Sequence, residues 1–179
     1  KMNSENDSVL KDRIKVCDGR LPKGAPATFL NNAKMVKLIT DWWKVAMKNP
    51  SSWKCKGTDN NIYTFLNDYL TAYKEVFPEA WDNKNYVLTK TMGFDIIFSI
   101  CNQLTLNAVD ISGVNRLPDK DAFVSILQKV FFTKDDSGNM VPVEVELDGE
   151  NAVPFNWESS IYGSHSSGKG INILKKIVE

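Results

Sequence analysis

The stretch GSHSSGKG at residues 163–170 has the glycine and lysine spacing of a phosphate-binding P-loop. In a working P-loop, backbone N–H groups hold the phosphates, and a Ser or Thr directly after the lysine binds magnesium. Here Gly170 follows Lys169, only nine residues remain after it, and the preceding NWESSIY makes a poor buried strand. A nucleotide-binding enzyme acting through Gly163–Lys169 is therefore the least favoured function of this chain.

The same stretch has a simpler explanation as the start of a short helix. Either Ser166 or Ser167 is a suitable N-cap residue, and the neighbouring glycines allow the backbone to turn into the helix. The N–H groups of such a helix start could also hold a phosphate of DNA without any catalysis. We predict a helix cap, and the functional alternative is an anion-binding helix start formed by Ser166, Ser167, Gly168 and Lys169.

A second candidate for phosphate binding is a row of lysines on the first predicted helix, residues 27–49. At 100° per residue the row spans about 80° of the helix surface, and it consists of Lys34, Lys37, Lys44 and Lys48. A solvated outer face is the simpler explanation, because lysine keeps surface helices soluble. The functional alternative is that these lysines contact the phosphates of a nucleic acid. Lys90, which stands between two threonines where a later helix starts, and Lys169 complete the candidate DNA-binding set.

The remaining reactive residues do not form a catalytic or metal-binding pattern. His165 is the only histidine, so it has no second base for an acid–base or nucleophilic arrangement. The cysteines at 17, 55 and 101 are far apart and lack a CxxC pair, which indicates reduced thiols, with Cys101 in a helix core. The sequence therefore predicts no catalytic residue, no metal and no cofactor.

The elements that must position these residues are mostly helices. Apolar residues recur every three or four positions in four stretches and a short fifth helix follows, at about 27–49, 62–77, 93–108, 119–131 and 169–178. Between the last two, valines from Val141 alternate with Pro142, Glu144 and Glu146, which predicts a strand paired with residues 152–157 as a hairpin, with Pro142 placing it at an edge. The predicted fold is mainly α, a compact helical domain of about five helices with one small β-hairpin.

The length and charge of the chain indicate how many domains it has and what kind of partner it could bind. The 179 residues suit one domain, which we place at 27–179 after an N-terminal arm or linker at 1–26. The net charge is zero, but residues 1–56 hold 12 basic and 5 acidic residues, which is typical of a basic face or of two halves that attract each other. The sequence lacks an apolar run that could span a bilayer, and it predicts a cytoplasmic protein without a membrane partner.

Three stretches resemble DGQHR-domain proteins in the part that follows the name-giving motif. They are NSENDSVLKDRI at 3–14, FPEAWDNKNYVLTKTMGFDIIFSI at 77–100 and GSHSSGKGINILKKI at 163–177. The DGQHR motif itself is absent, so the chain looks like a C-terminal part of such a protein. The family includes DndB-type regulators of DNA phosphorothioate modification and proteins of phage-defence clusters.

This resemblance implies a non-catalytic domain that assists DNA binding or regulation in DNA modification or phage defence. It further implies an upstream domain of the same protein, whose activity-bearing region would precede Lys1. The alternative is a protein–protein scaffold or homo-oligomerisation domain that uses exposed aromatic residues such as Trp43 and Trp53.

Overall fold

The computed structural model describes residues 1–16, 29–48, 59–112, 117–146, 152–158 and 167–178. Within them lie five helices, α1 (Asn32–Met47), α2 (Asp59–Val76), α3 (Thr91–Ser112), α4 (Lys120–Phe131) and α5 (Ser167–Val178). Six short strands are β1 (Ile14–Lys15), β2 (Leu30–Asn31), β3 (Phe132–Lys134), β4 (Met140–Pro142), β5 (Glu144–Val145) and β6 (Val153–Pro154). The predicted mainly α fold is confirmed.

Side chains that accept hydrogen bonds from backbone N–H groups start two of the helices. The Asn31 side chain accepts a bond of 2.8 Å from the Lys34 N–H at the start of α1. The Asp119 carboxylate does the same for Ala122 at the start of α4, at 3.1 Å. In both helices the side chain satisfies a backbone N–H group that has no partner inside the helix, so Asn31 and Asp119 fix where each helix begins.

The core forms where the apolar stripes of the helices meet. Helix α2 packs against α4, while α3 lies between α1, α4 and α5. Aromatic rings fill much of the space, and the largest fully buried side chains include Trp157, Tyr69, Tyr73, Phe65, Phe94, Phe123 and Phe131. A core of this kind holds the outer faces of α1 and α5 in fixed positions, because each stripe can be buried in only one orientation.

The predicted extended segment is present and is shared between two hairpins. Strand β4 pairs antiparallel with β3 across the turn at 135–139, and β5 pairs antiparallel with β6, with Val145 opposite Val153. The pairing of β5 with residues in 152–157 agrees with the prediction. The β3–β4 hairpin and the parallel pair β1–β2 were not predicted, because β3 follows α4 without a break and β1 and β2 have two residues each.

The first 16 residues, which belong to the predicted N-terminal arm or linker, pack against the helices. Met2, Leu10 and Ile14 are buried in the common core. The Val9 N–H donates to the side-chain oxygen of Asn67 on α2, at 2.9 Å. The apolar residues that support this packing follow no regular period, which is why the sequence pattern did not reveal it; they are Met2, Val9, Leu10 and Ile14. Residues 17–26 of the predicted arm lie outside the described residues.

Arg13 fixes the end of this N-terminal segment. Its guanidinium forms a two-pronged ion pair with the Asp82 carboxylate and lies 4.9 Å from the ring centre of Phe29. The Phe29 ring in turn packs edge-on against Trp81. Because a planar guanidinium can meet a carboxylate and a ring face together, Arg13 joins the N-terminal segment to the loop before α3.

Candidate nucleic-acid interface

The lysine face, which we define as the side of α1 carrying Lys34, Lys37, Lys44 and Lys48, points mainly to solvent. The side chains of Lys37 and Lys44 are 69% and 70% exposed, and Lys48 is exposed at the end of the helix. Helix α1 takes this orientation because its opposite side buries Met35, Leu38 and Trp42. Val45 on the same helix is 54% exposed.

Two carboxylates partly neutralise the lysine face. Lys34 forms an ion pair of 2.5 Å with Asp95 on α3, and both side chains are only about a quarter exposed. Asp41 lies among the lysines, forms a hydrogen-bonded ion pair with Lys37, and lies 3.9 Å from Lys44. The hydrogen bond from Lys37 lowers the pKa of the Asp41 carboxyl. Asp41 was not among the residues predicted from the sequence, although its spacing of four residues from Lys37 and three from Lys44 predicts helix ion pairs.

The exposed lysines remain available to an anionic ligand. Ion pairs between exposed side chains contribute little free energy, so a phosphate can compete with Asp41 for Lys37 and Lys44. Between Lys37 and Lys48 the sequence contains no Arg, Asn or Gln, which are the main side chains that read base edges. This face can therefore contact the backbone of a nucleic acid but is poorly equipped to recognise its sequence.

Lys90 lies at the same end of the helices as Lys34. Its carbonyl accepts the hydrogen bond of the Phe94 N–H, which places Lys90 directly before the first turn of α3. Asp95, the partner of Lys34, lies in the next turn, so the starts of α1 and α3 are neighbours. The side chain of Lys90 is exposed.

The predicted anion-binding helix start falls largely outside the described residues. Helix α5 begins at Ser167, two residues before the expected position, so Ser166 would precede the first helical residue. Ser166, the side chains of Ser167 and Lys169, and the surroundings of Gly168 are not among the parts that the structure describes. Phosphate binding at this helix start stays a prediction.

The ionisable groups of the core are buried and hydrogen-bond to one another or to the backbone. The Tyr69 hydroxyl donates to the Ile97 carbonyl at 2.7 Å and lies 3.3 Å from the Tyr73 hydroxyl. Cys101 is fully buried nearby, and burial raises the pKa of its thiol far above the ordinary value. Across the described ranges, no group of three or more His, Cys, Asp or Glu side chains could hold a metal ion.

Burial gives Cys101 a testable chemical property. In native protein at pH 8, we expect iodoacetamide to leave Cys101 unmodified, because the thiolate is the reactive form and the sulfur is not accessible. After unfolding in urea, the same residue should react fully. Peptide mapping by mass spectrometry follows the residue directly. Rapid native-state labelling of Cys101 at the rate of a free thiol would contradict the buried position.

The fold and the lysine face together define a mainly helical domain with a basic outer helix. Comparison of the chain with protein-family models, with curated proteins and with solved structures gave no match. Helices that combine the length and the apolar character needed to cross a bilayer do not occur in the described part of the chain.

Proposed function

We propose that this chain is a non-catalytic binding domain whose lysine face contacts the phosphate backbone of DNA. The observation that carries the proposal is the group of exposed lysines, Lys37, Lys44 and Lys48, on one side of a helix whose other side is fixed in the core. Such a surface neutralises phosphates and releases counterions, which favours binding to DNA of any sequence.

The resemblance to DGQHR-domain proteins supports a regulatory setting for this binding. In the proposal, the chain is the C-terminal part of a cytoplasmic DGQHR-type protein associated with DNA modification or phage defence. An upstream domain of the same protein would carry any chemical activity or sequence recognition, and the domain described here would add affinity for the DNA backbone. Lys90 and Lys169 would extend the contact at the starts of α3 and α5.

The scaffold and homo-oligomer alternative was suggested by two aromatic residues, of which the structure describes Trp43. Trp43 is half-buried and its ring lies 5.6 Å from that of Trp42. Trp53 lies outside the described residues. Since a protein-docking surface is usually built around exposed aromatic anchors, the lysine face is the better supported site.

Removing lysines from this face should reduce both DNA affinity and its dependence on salt. For binding to random duplex DNA, the double variant Lys37→Ala/Lys44→Ala should lower the slope of log K against log salt by about two units, because each lysine that meets a phosphate contributes about one. Asp41→Asn should have the opposite effect on affinity, since it removes the carboxylate that competes with phosphates. Fluorescence anisotropy across a salt series measures both.

Lys74→Ala is the matched control, because Lys74 is an exposed lysine in the last turn of α2 and not on α1. It should leave affinity and salt slope unchanged. If Lys74→Ala and the double variant lost the same amount of DNA affinity, the result would show only a general effect of charge. Wild-type protein that fails to bind duplex DNA at low salt would refute the proposed function.

A further inference from the structure

The segment from Met140 to Glu146 uses one of its two edges for all its observed pairing. The N–H of Val143 donates to the Phe131 carbonyl at 3.0 Å, and the carbonyl of Val143 accepts from the Phe155 N–H at 2.7 Å. In an extended strand, the N–H and C=O of one residue point to the same edge. The β3 hairpin and β6 therefore lie on the same side of this segment, one after the other.

The opposite edge of the segment is open among the described residues. Alternation directs the N–H and C=O of Glu144, and the N–H of Glu146, towards this edge. Both sheets contain only two strands, and no described residue hydrogen-bonds to these groups. Pro142 has no N–H to offer there, so the open edge is shortened to the part around Glu144. An edge of this kind is a template for a further strand.

A cleft of about 360 Å³ lies between this part of the chain and α5. Its apolar lining comes from α4, the strand segment and α5, through Val130, Val143, Val145, Ile173 and Ile177. The four consecutive residues from Val143 to Glu146 all line it, so the cleft meets the strand along its length. The charged lining consists of Glu144 and Glu146 on the strand and Lys176 on α5. An apolar floor beside a strand edge suits an extended peptide.

We propose that the cleft binds an extended peptide in which apolar and basic residues alternate, as an added strand on the Glu144 edge. Glu144 and Glu146 are two residues apart, so their carboxylates share one face of the strand, while Val143 and Val145 share the other. An added strand therefore places every second residue beside the carboxylates and the residues between them on the apolar floor. The cleft has two carboxylates and one lysine, so the peptide residues beside the carboxylates should be lysine or arginine.

The peptide site and the lysine face are on different elements, so each proposal can fail without the other. The test uses two capped octapeptides, one alternating valine with lysine and one alternating valine with glutamate. Calorimetry should show the lysine peptide binding about tenfold more tightly, because each cross-strand charge pair changes from attraction to repulsion in the glutamate peptide. Amide exchange should slow at Glu144 and Glu146 when the lysine peptide is bound.

Two variants separate edge pairing from general attraction. Glu144→Lys/Glu146→Lys should reverse the preference between the two peptides, and both positions are exposed, so the fold should be kept. Glu144→Pro removes an N–H on the open edge only and should weaken the lysine peptide at least tenfold. Thermal unfolding checks that both variants are folded.

The proposal is overturned if neither peptide binds, if both bind equally, or if charge reversal leaves the preference unchanged. It is also overturned if the free protein sediments as a dimer that Glu144→Pro converts to a monomer, since a second copy would then occupy the edge.

Discussion

Replacing Gly93 with alanine should lower the free energy of unfolding by about 3 kcal/mol or more, as expected for severe overpacking. Gly93 lies in the first turn of α3, where the loop before the helix crosses it closely. An added Cβ would lie 2.1 Å from the Val87 carbonyl oxygen and 2.3 Å from that of Leu88. Backbone atoms cannot rotate away as a side chain can, so α3 would have to move from this loop.

The direction of the stability change in Gly93→Ala is informative, because helix propensity alone predicts that alanine would stabilise α3. Alanine is favoured over glycine inside a helix by about 1 kcal/mol. Gly138→Ala is the matched control, since Gly138 has φ +84° but no atom within 4 Å of an added Cβ. It should cost about 1 kcal/mol, from backbone strain alone. Urea unfolding followed by circular dichroism measures both variants, and a Gly93→Ala protein as stable as wild type would show that the loop does not approach α3.

Replacing Phe77 with alanine should cost about 3–5 kcal/mol of stability, which is the usual range for removing a buried aromatic ring. Phe77 follows the last residue of α2 and is 4% exposed. Its ring centre lies within 6.3 Å of five other ring centres, those of Tyr73, Phe131, Phe132, Phe155 and Trp157. The loss combines hydrophobic burial, ring contacts and an unfilled cavity.

Phe77→Leu is the control for this variant, because it keeps much of the buried volume and removes the ring. It should lower the free energy of unfolding clearly less than Phe77→Ala does, and the difference between the two variants measures the cost of the cavity. Thermal and urea unfolding of the two variants give the comparison. If both substitutions cost less than 1 kcal/mol, the ring cluster would not hold α2 against the end of α4 and the 152–158 segment.

Both positions determine the surfaces proposed for binding. Gly93 permits the start of α3 to lie against the preceding loop, and the next turn carries Asp95, the partner of Lys34 on the lysine face. Phe77 packs against Phe131 and Phe155, the two residues whose backbone groups bond to Val143 beside the cleft. Loss of either contact should therefore disturb a binding surface as well as stability.

The sequence by itself determined the helices, because their signals are local. Apolar residues at helical spacing predict α1 to α4, and Asp119 stands at the predicted start of α4. Strict alternation from Val141 predicts the extended segment, and its pairing with 152–157 follows from a short intervening turn. The lysine face also follows from spacing along one helix.

Only the tertiary structure decided which of these surfaces are covered. The pairing of Lys34 with Asp95 joins residues 61 positions apart, and no periodic pattern links them. The packing of residues 1–16 on α2, the approach of the loop to Gly93 and the open edge at Glu144 likewise depend on distant segments. Such contacts form because burial of the apolar faces of the helices brings these distant segments together. They are therefore a consequence of the assembled core and cannot be read from any short stretch of sequence.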